Sequence, residues 1–242
     1  MKNLSSFSSI TGMGLLLMLT NGCMKTEDPN MTLTDAAADA DGNVYTSVTI
    51  GTQVWIVENL KTTKYNDTTA IPRVNDNTAW VNLSTPGYCW YNNDISNKDG
   101  YGALYNWYAV NTGKLCPTGW HVPSDEDWKI MERNLGMNNS DADATGWRYS
   151  GLVGGKLKES GTMHWMMPSV GATNTSGFSS RPGGDRESDL GFVNFGNYCY
   201  FWLSTEDGNS RAWFRRLNND NAGVHRSSSR DAVGYSVRCL KN

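Results

Sequence analysis

Two cysteine-bearing segments bracket the folded part of this chain. Cys116-Pro117-Thr118-Gly119-Trp120-His121-Val122-Pro123-Ser124 leads into a helix start, and Gly234-Tyr235-Ser236-Val237-Arg238-Cys239 closes a final strand well over a hundred residues later. Ser124 is a strong helix N-cap, and Asp125, Glu126 and Asp127 place negative charge in the first turn, where the helix dipole favours it. Trp128, Met131 and Leu135 then recur on one face, and Gly136 supplies a C-terminal stop. The spacing predicts an amphipathic helix over 125–135, which accounts for the acidic trio without catalysis. His121, between Trp120 and Val122-Pro123, reads as a buried structural histidine.

Val44 to Ile50 is a β-branched run, Gly51-Thr52 a two-residue turn and Gln53 to Val57 a return strand, so a hairpin of type II′ is predicted. Tyr101 to Val110 carries Leu104, Trp107 and Tyr108 at helical spacing and reads as a short helix packed on the core. Residues 138–150 read as a loop and 152–159 as a second short helix. From Phe178 onward short strands are expected around 178–181, 198–204, 211–217, 222–226 and 233–240, separated by turn-rich Asp207-Gly208-Asn209 and Asn218-Asn219-Asp220-Asn221.

The start of the chain reads as an export signal. The apolar run Leu15-Leu16-Leu17-Met18-Leu19 is too short to span a bilayer as a helix, which needs about 20 apolar residues. Thr20-Asn21-Gly22-Cys23 follows and resembles a bacterial lipobox, with Thr20 where Leu is usual. The reading is a signal peptide over 1–22, a lipidated tether over 23–42 beginning at Cys23, and one domain over 43–242. Asp39-Ala40-Asp41-Gly42-Asn43 lacks the glutamate that would close a calcium loop, since position 50 is Ile, so it reads as solvated linker.

Ten Trp and 11 Tyr in a chain that is only 38% hydrophobic point to an aromatic core in a loop-rich extracytoplasmic domain. Net charge is −3, and the arginines of the C-terminal third alternate with acids, so no basic field draws nucleic acid and a mixed surface is expected. With Cys23 lipidated, Cys89, Cys116, Cys199 and Cys239 remain, an even set that permits disulfides in three pairings. No zinc spacing, phosphate loop or nucleophile–base pair is visible, so no metal, no cofactor and no catalytic residue is assigned.

Val54-Trp55-Ile56-Val57-Glu58-Asn59-Leu60, Tyr91-Asn92-Asn93-Asp94, Tyr101-Gly102-Ala103-Leu104-Tyr105-Asn106-Trp107, the Cys116–Asp125 segment, Gly155-Lys156-Leu157-Lys158, Phe201-Trp202-Leu203-Ser204-Thr205-Glu206 and the closing Gly234–Cys239 occur in one order. Together they resemble the Fibrobacter succinogenes major paralogous domain, over nearly all of 42–242. That resemblance implies an exported or surface lipoprotein of the outer membrane, of Bacteroidetes or Fibrobacteres type. It also implies an α+β, C-type lectin-like fold: short helices packed on small antiparallel sheets with long loops. In that fold the first and last core cysteines are bonded, which carried over pairs Cys116 with Cys239. The Glu-Pro-Asn, Gln-Pro-Asp and Trp-Asn-Asp triplets of calcium-dependent lectins are absent.

The function expected from this is a non-catalytic binding or adhesion module on the cell surface, held to the membrane by its lipid and directed at a polysaccharide or a surface protein. The candidate ligand residues are Trp202, Glu206, Asp207, Asn209, Trp213 and Arg215, aromatics beside planar polar groups. The alternatives are an enzyme on a formylglycine-generating-enzyme-like variant of the fold, using Cys89 and Cys199, and a structural envelope component. Acylation at Cys23 is tested by feeding cells a palmitate analogue: Cys23→Ala is expected to lose the label and leave the membrane fraction, and retention of both would refute the anchor.

Overall fold

A computed structural model describes Met1, residues 37–187 and residues 191–242; the Cys23 anchor lies outside the described residues. The first strands, β1 (Ala37–Ala38) and β2 (Val44–Tyr45), form a small ladder ahead of the hairpin β3 (Ser47–Ile50) and β4 (Gln53–Ile56). Gly51 has φ 63° and no positive φ occurs at Thr52, the pattern of the type II′ turn. Next come α1 (Asn77–Val81), β5 (Tyr88–Cys89), α2 (Lys98–Tyr101), β6 (Leu104–Tyr105), α3 (Trp107–Val110) and β7 (Trp120–His121). They are followed by α4 (Asp125–Asn134), α5 (Asn139–Asp143), β8 (Gly146–Arg148) and α6 (Val153–Leu157). The chain ends in β9 (Asp185–Glu187), β10 (Gly191–Val193), β11 (Tyr198–Gly208), β12 (Arg211–Asn218), β13 (Val224–Arg230) and β14 (Leu240–Lys241). The architecture is mixed α and β, with small antiparallel sheets and few short helices among the described residues.

Two four-stranded sheets organise it. One has the order β3-β4-β14-β7 and joins the first hairpin to the last strand; the other is β11-β12-β13-β8. The second sheet is buried on both faces along β11: Tyr200 and Trp202 enter one core cluster with Tyr105, Phe214 and Tyr235, while Cys199, Phe201 and Leu203 enter another with Trp55, Trp128 and Phe178. That is why Tyr198 to Leu203 is a continuous apolar run rather than an alternating one. In the second cluster Trp55, Trp128, Phe178 and Phe201 meet with ring centroids 5.5 to 5.8 Å apart, the edge and tilted geometries that aromatic quadrupoles favour.

Helix α4 has the expected cap. Ser124 Oγ accepts from Asp127 N–H and Asp127 Oδ2 accepts from Ser124 N–H at 2.8 Å, a capping box. Asp125 does more than cap: it is buried and carries two arginines. Arg215 donates to Asp125 Oδ1 at 2.8 Å, and Arg226 donates to both carboxylate oxygens at 2.9 and 2.7 Å. Two turns further along the same helical face, the fully buried Glu132 accepts two bonds from Arg148 at 2.7 and 2.6 Å and one from Arg215 at 2.8 Å. Burial opposes the Asp125 charge, but Arg226 and Arg215 outweigh it and hold the carboxyl below the usual range.

Several expectations are corrected. Residues 37–42 belong to the fold rather than to a tether: Asp39 accepts from the N–H groups of Asp41 and Asn43 and from the Tyr45 hydroxyl, while Asp41 accepts from Thr63 and pairs with Lys64 at 3.3 Å. The helix expected over 101–110 is split, because the Asn106 side chain accepts from Ala109 N–H and caps a helix that starts only at Trp107, leaving Leu104 in a strand. The loop expected over 138–150 contains α5, capped by Asn138, and the edge strand β8. Around 178–181 there is only a bridge at Ser180. Most of 233–240 makes single bridges to Tyr105, Arg186 and Phe201, because that segment serves three neighbours in turn. The hairpin β9–β10 was not anticipated.

Four arginines of the C-terminal third, Arg186, Arg215, Arg226 and Arg238, are buried and not part of the mixed surface expected there. His121, expected inside, is half-buried at the chain end, 2.7 Å from Asn242 Oδ1 and 3.6 Å from Asp127. No helix among the described residues is long and apolar enough to cross a membrane.

Cys116 and Cys239 are bonded, with Cα atoms 6.0 Å apart, and Cys239 O accepts from Ile56 N–H at 3.0 Å, tying the first sheet to the bridge. The loop they close spans 123 residues, for which chain entropy gives a stabilisation of about 5 kcal/mol. The variant Cys116→Ser/Cys239→Ser is therefore expected to unfold at markedly lower urea than the native protein, and an unchanged midpoint would contradict this.

Candidate functional site

The six residues expected to form a ligand site do not converge. Trp202 is fully buried, and its Nε1 donates to Tyr105 O at 2.9 Å inside the first cluster. Arg215 is fully buried on the opposite face of the sheet, committed to Asp125 and Glu132. Alternation along the strands separates them: one inward face holds Trp202, the other Arg215 and Trp213. Trp213 is half-buried, and the Arg226 guanidinium sits 3.9 Å from its ring centre, so it braces the ion cluster. Glu206 and Asp207 are exposed near the end of β11. Asn209, with φ 54°, and Ser210, with φ 57°, make the tight turn into β12. Of the six, Asn209 lines a groove of about 380 Å³, beside Tyr108 and Asp231.

The cysteines proposed for the enzymatic alternative are not neighbours. Cys89 packs with Trp80 and Leu104, Cys199 with the second core cluster, and both are free, buried thiols. Burial pushes Cys89 up to about 11 and Cys199 up to about 12, away from the thiolate form that reactivity needs. Among the described residues, no group of three or more His, Cys, Asp or Glu is placed to hold a metal ion.

A different constellation lies across the second sheet. The pairing Tyr200↔Arg216, Arg216↔His225 and His225↔Trp147 sets four side chains in one row over β11, β12, β13 and β8. Residues opposite one another in antiparallel strands share a face, so the row runs from buried Tyr200 to half-exposed Trp147. The Arg216 guanidinium lies 5.1 Å from the Trp147 ring centre and 5.3 Å from that of Tyr198, within cation–π range. His225 meets Trp147 edge-on at 5.1 Å, and Tyr149, 49% exposed, stacks on Trp147 at 6.4 Å.

The inner end of the row is closed by β9. Asp185 is fully buried and its Oδ1 accepts from Asn194 Nδ2, which also donates to the Tyr200 hydroxyl at 3.1 Å. Three buried polar atoms in this neighbourhood have no hydrogen-bond partner: Asp185 Oδ2, Arg216 Nε and His225 Nδ1. Native proteins leave few such atoms, because each costs about 1–3 kcal/mol. Burial, reinforced by Glu187, pushes Asp185 up to about 8, so its carboxyl is protonated at neutral pH. Burial and the neighbouring Arg216 and Arg148 push His225 down to about 4, leaving a neutral imidazole. The row thus combines a cation, a neutral donor–acceptor ring and two stacking surfaces. The sequence hid it because Arg216 follows Arg215 without distinction; only the strand register sends one into the core and the other to this face.

The linkage signs of the two groups are opposite. Asp185 is ordinarily half-ionised at 3.8 and in the folded state only near 8, so the native state binds the extra proton and stability is lost as pH rises from 3.8 to 8. His225 contributes stability that is lost as pH falls from 6.5 toward 4. Asp185→Asn keeps the Asn194 contact without a titrating carboxyl. It is expected to gain about 1 kcal/mol or more over the native protein, in a gap that opens between pH 4 and pH 8 in urea unfolding. A gap that does not change with pH would mean the carboxyl ionises freely.

The family model for the Fibrobacter succinogenes major domain matches residues 48–241. No curated protein and no solved structure matches the chain.

Proposed function

The chain belongs to the Fibrobacter succinogenes major domain family, and from that premise we propose that it is a lipid-anchored protein of the bacterial outer membrane, facing the cell surface, whose domain is a non-catalytic binding or adhesion module for a glycan or another protein. The observation that carries the binding reading is the row Tyr200–Arg216–His225–Trp147, where a cation, a neutral imidazole and half-exposed rings lie side by side with polar atoms left unpartnered. Flat rings next to planar polar groups suit ligands that present both apolar faces and hydroxyls.

The C-type lectin-like assignment is part of the same proposal. Three features support it: the sheet that joins the first hairpin to the last strand, the disulfide from the approach to α4 to the approach to β14, and the second antiparallel sheet. The membrane anchor rests on the short apolar run ending at Cys23.

A glycan array probed with the purified domain, with calcium and with a chelator, tests the module. Binding that does not require calcium is expected, and Trp147→Ala is expected to lower it at least about tenfold while cooperative unfolding is kept. Steady turnover of a bound glycan would overturn the non-catalytic reading. Undiminished binding by a folded Trp147→Ala protein would remove the row from the site.

A further inference from the structure

Arg216 differs from the buried arginines of its sheet. Arg148, Arg215 and Arg226 each hold a carboxylate at 2.6 to 2.8 Å. Arg216, on the opposite face from Arg215, makes no ion pair among the described residues. The buried Asp185 nearby is kept neutral, chiefly by burial. The Tyr200 hydroxyl lies against the guanidinium, and the rings of Trp147 and Tyr198 flank it. Among the described residues, this half-buried guanidinium lies against aromatic rings and has no carboxylate within ion-pairing distance.

We propose that Arg216 anchors the carboxylate of an acidic saccharide, a uronic-acid-type glycan whose ring stacks on the Trp147–Tyr149 edge of the sheet. This inference rests on the binding-module reading above and names its ligand class. The guanidinium fork matches the planar, two-oxygen geometry of a carboxylate, and an ammonium would not. Trp147 and Tyr149 form a stacked pair at the outer end of the same row, open enough to receive the apolar face of a pyranose. His225, neutral and between Arg216 and Trp147, keeps Nδ1 buried and offers its other ring nitrogen to a hydroxyl that lies between a sugar's carboxylate and its stacked face. An acidic peptide would satisfy Arg216 but would leave the indole–phenol edge and the imidazole unused. The saccharide uses all three.

Calorimetric titration of the intact domain with a galacturonic acid oligosaccharide, its methyl ester, a sulfated oligosaccharide and an oligoglutamate tests this. The acid is expected to bind at least about tenfold more tightly than the ester, and more tightly than the sulfated or peptide probes. Arg216→Gln is expected to bring the acid down to the affinity of the ester, and Arg216→Lys to fall between, with both variants unfolding at the native temperature within a few degrees. The ester comparison is made on the native protein, so it holds even if a variant fails to fold. Equal affinity for acid and ester, equal competition by oligoglutamate, or native affinity in folded Arg216→Gln would each overturn the proposal. If none of the four probes binds but neutral glycans bind on the array, the acidic-ligand inference fails and the module reading stands. If no array ligand appears either, both fail.

Discussion

The seat of α4 on the second sheet is ionic, and the rest of the structure is arranged around it. Two carboxylates two turns apart on one helical face, Asp125 and Glu132, receive three guanidinium groups from three adjacent strands, β12, β13 and β8. Burying five charges costs several kcal/mol each unless every one is paired, and here the pairs are bidentate or shared. The penalty makes the arrangement all-or-none: removing one carboxylate leaves arginines buried without a counter-ion, a loss of about 3–5 kcal/mol. A purely apolar helix face would have tolerated sliding over the sheet; this one has a single register.

That register determines what the other face presents. Side chains alternate along β12, so once Arg215 is drawn inward to Glu132, Arg216 must emerge opposite, between the rings of Tyr198 and Trp147. A slip of one residue would exchange them and leave Glu132 facing an open strand. The inner wall and the outward row are therefore two consequences of one alignment. The aromatic core serves the same end: large rigid rings in both clusters leave the strands little room to shift.

Much of this is legible in the sequence; the local caps at Asn106 and Asn138 are missed, and the larger gaps share one origin. Several signals carried by neighbouring residues reappear in the fold: the Gly51-Thr52 turn, the Ser124 cap with Trp128 and Met131 inward, and the strand pair β11–β12, whose turn falls at Asn209-Ser210 rather than at Asp207–Asn209. What depends on a distant partner is not legible. Nothing beside Asp125 announces that two arginines about ninety and a hundred residues away will meet it, so it looked like a helix-start charge. Trp202 and Arg215 carry the residue types of a sugar site, yet their burial is decided by which cluster each strand face meets. The row at Arg216 is invisible for the same reason, since its four members come from four strands and two of them, Trp147 and Tyr200, are more than fifty residues apart. The Cys116–Cys239 bond followed from the family pattern and not from the spacing.

The sheet order β3-β4-β14-β7 sets β3 and β14 on either side of β4, with Val48 and Leu240 both paired to Trp55. Because both are antiparallel to β4, they run in the same direction, and a pull on Ser47 and on Lys241 acts along the strands in opposite senses and loads the ladder in shear. The Cys116–Cys239 bridge stands immediately before β14, so such a pull would be borne by β3, β4 and β14 together with a covalent link into the core. The sheet at the far side of the molecule would keep its shape under load.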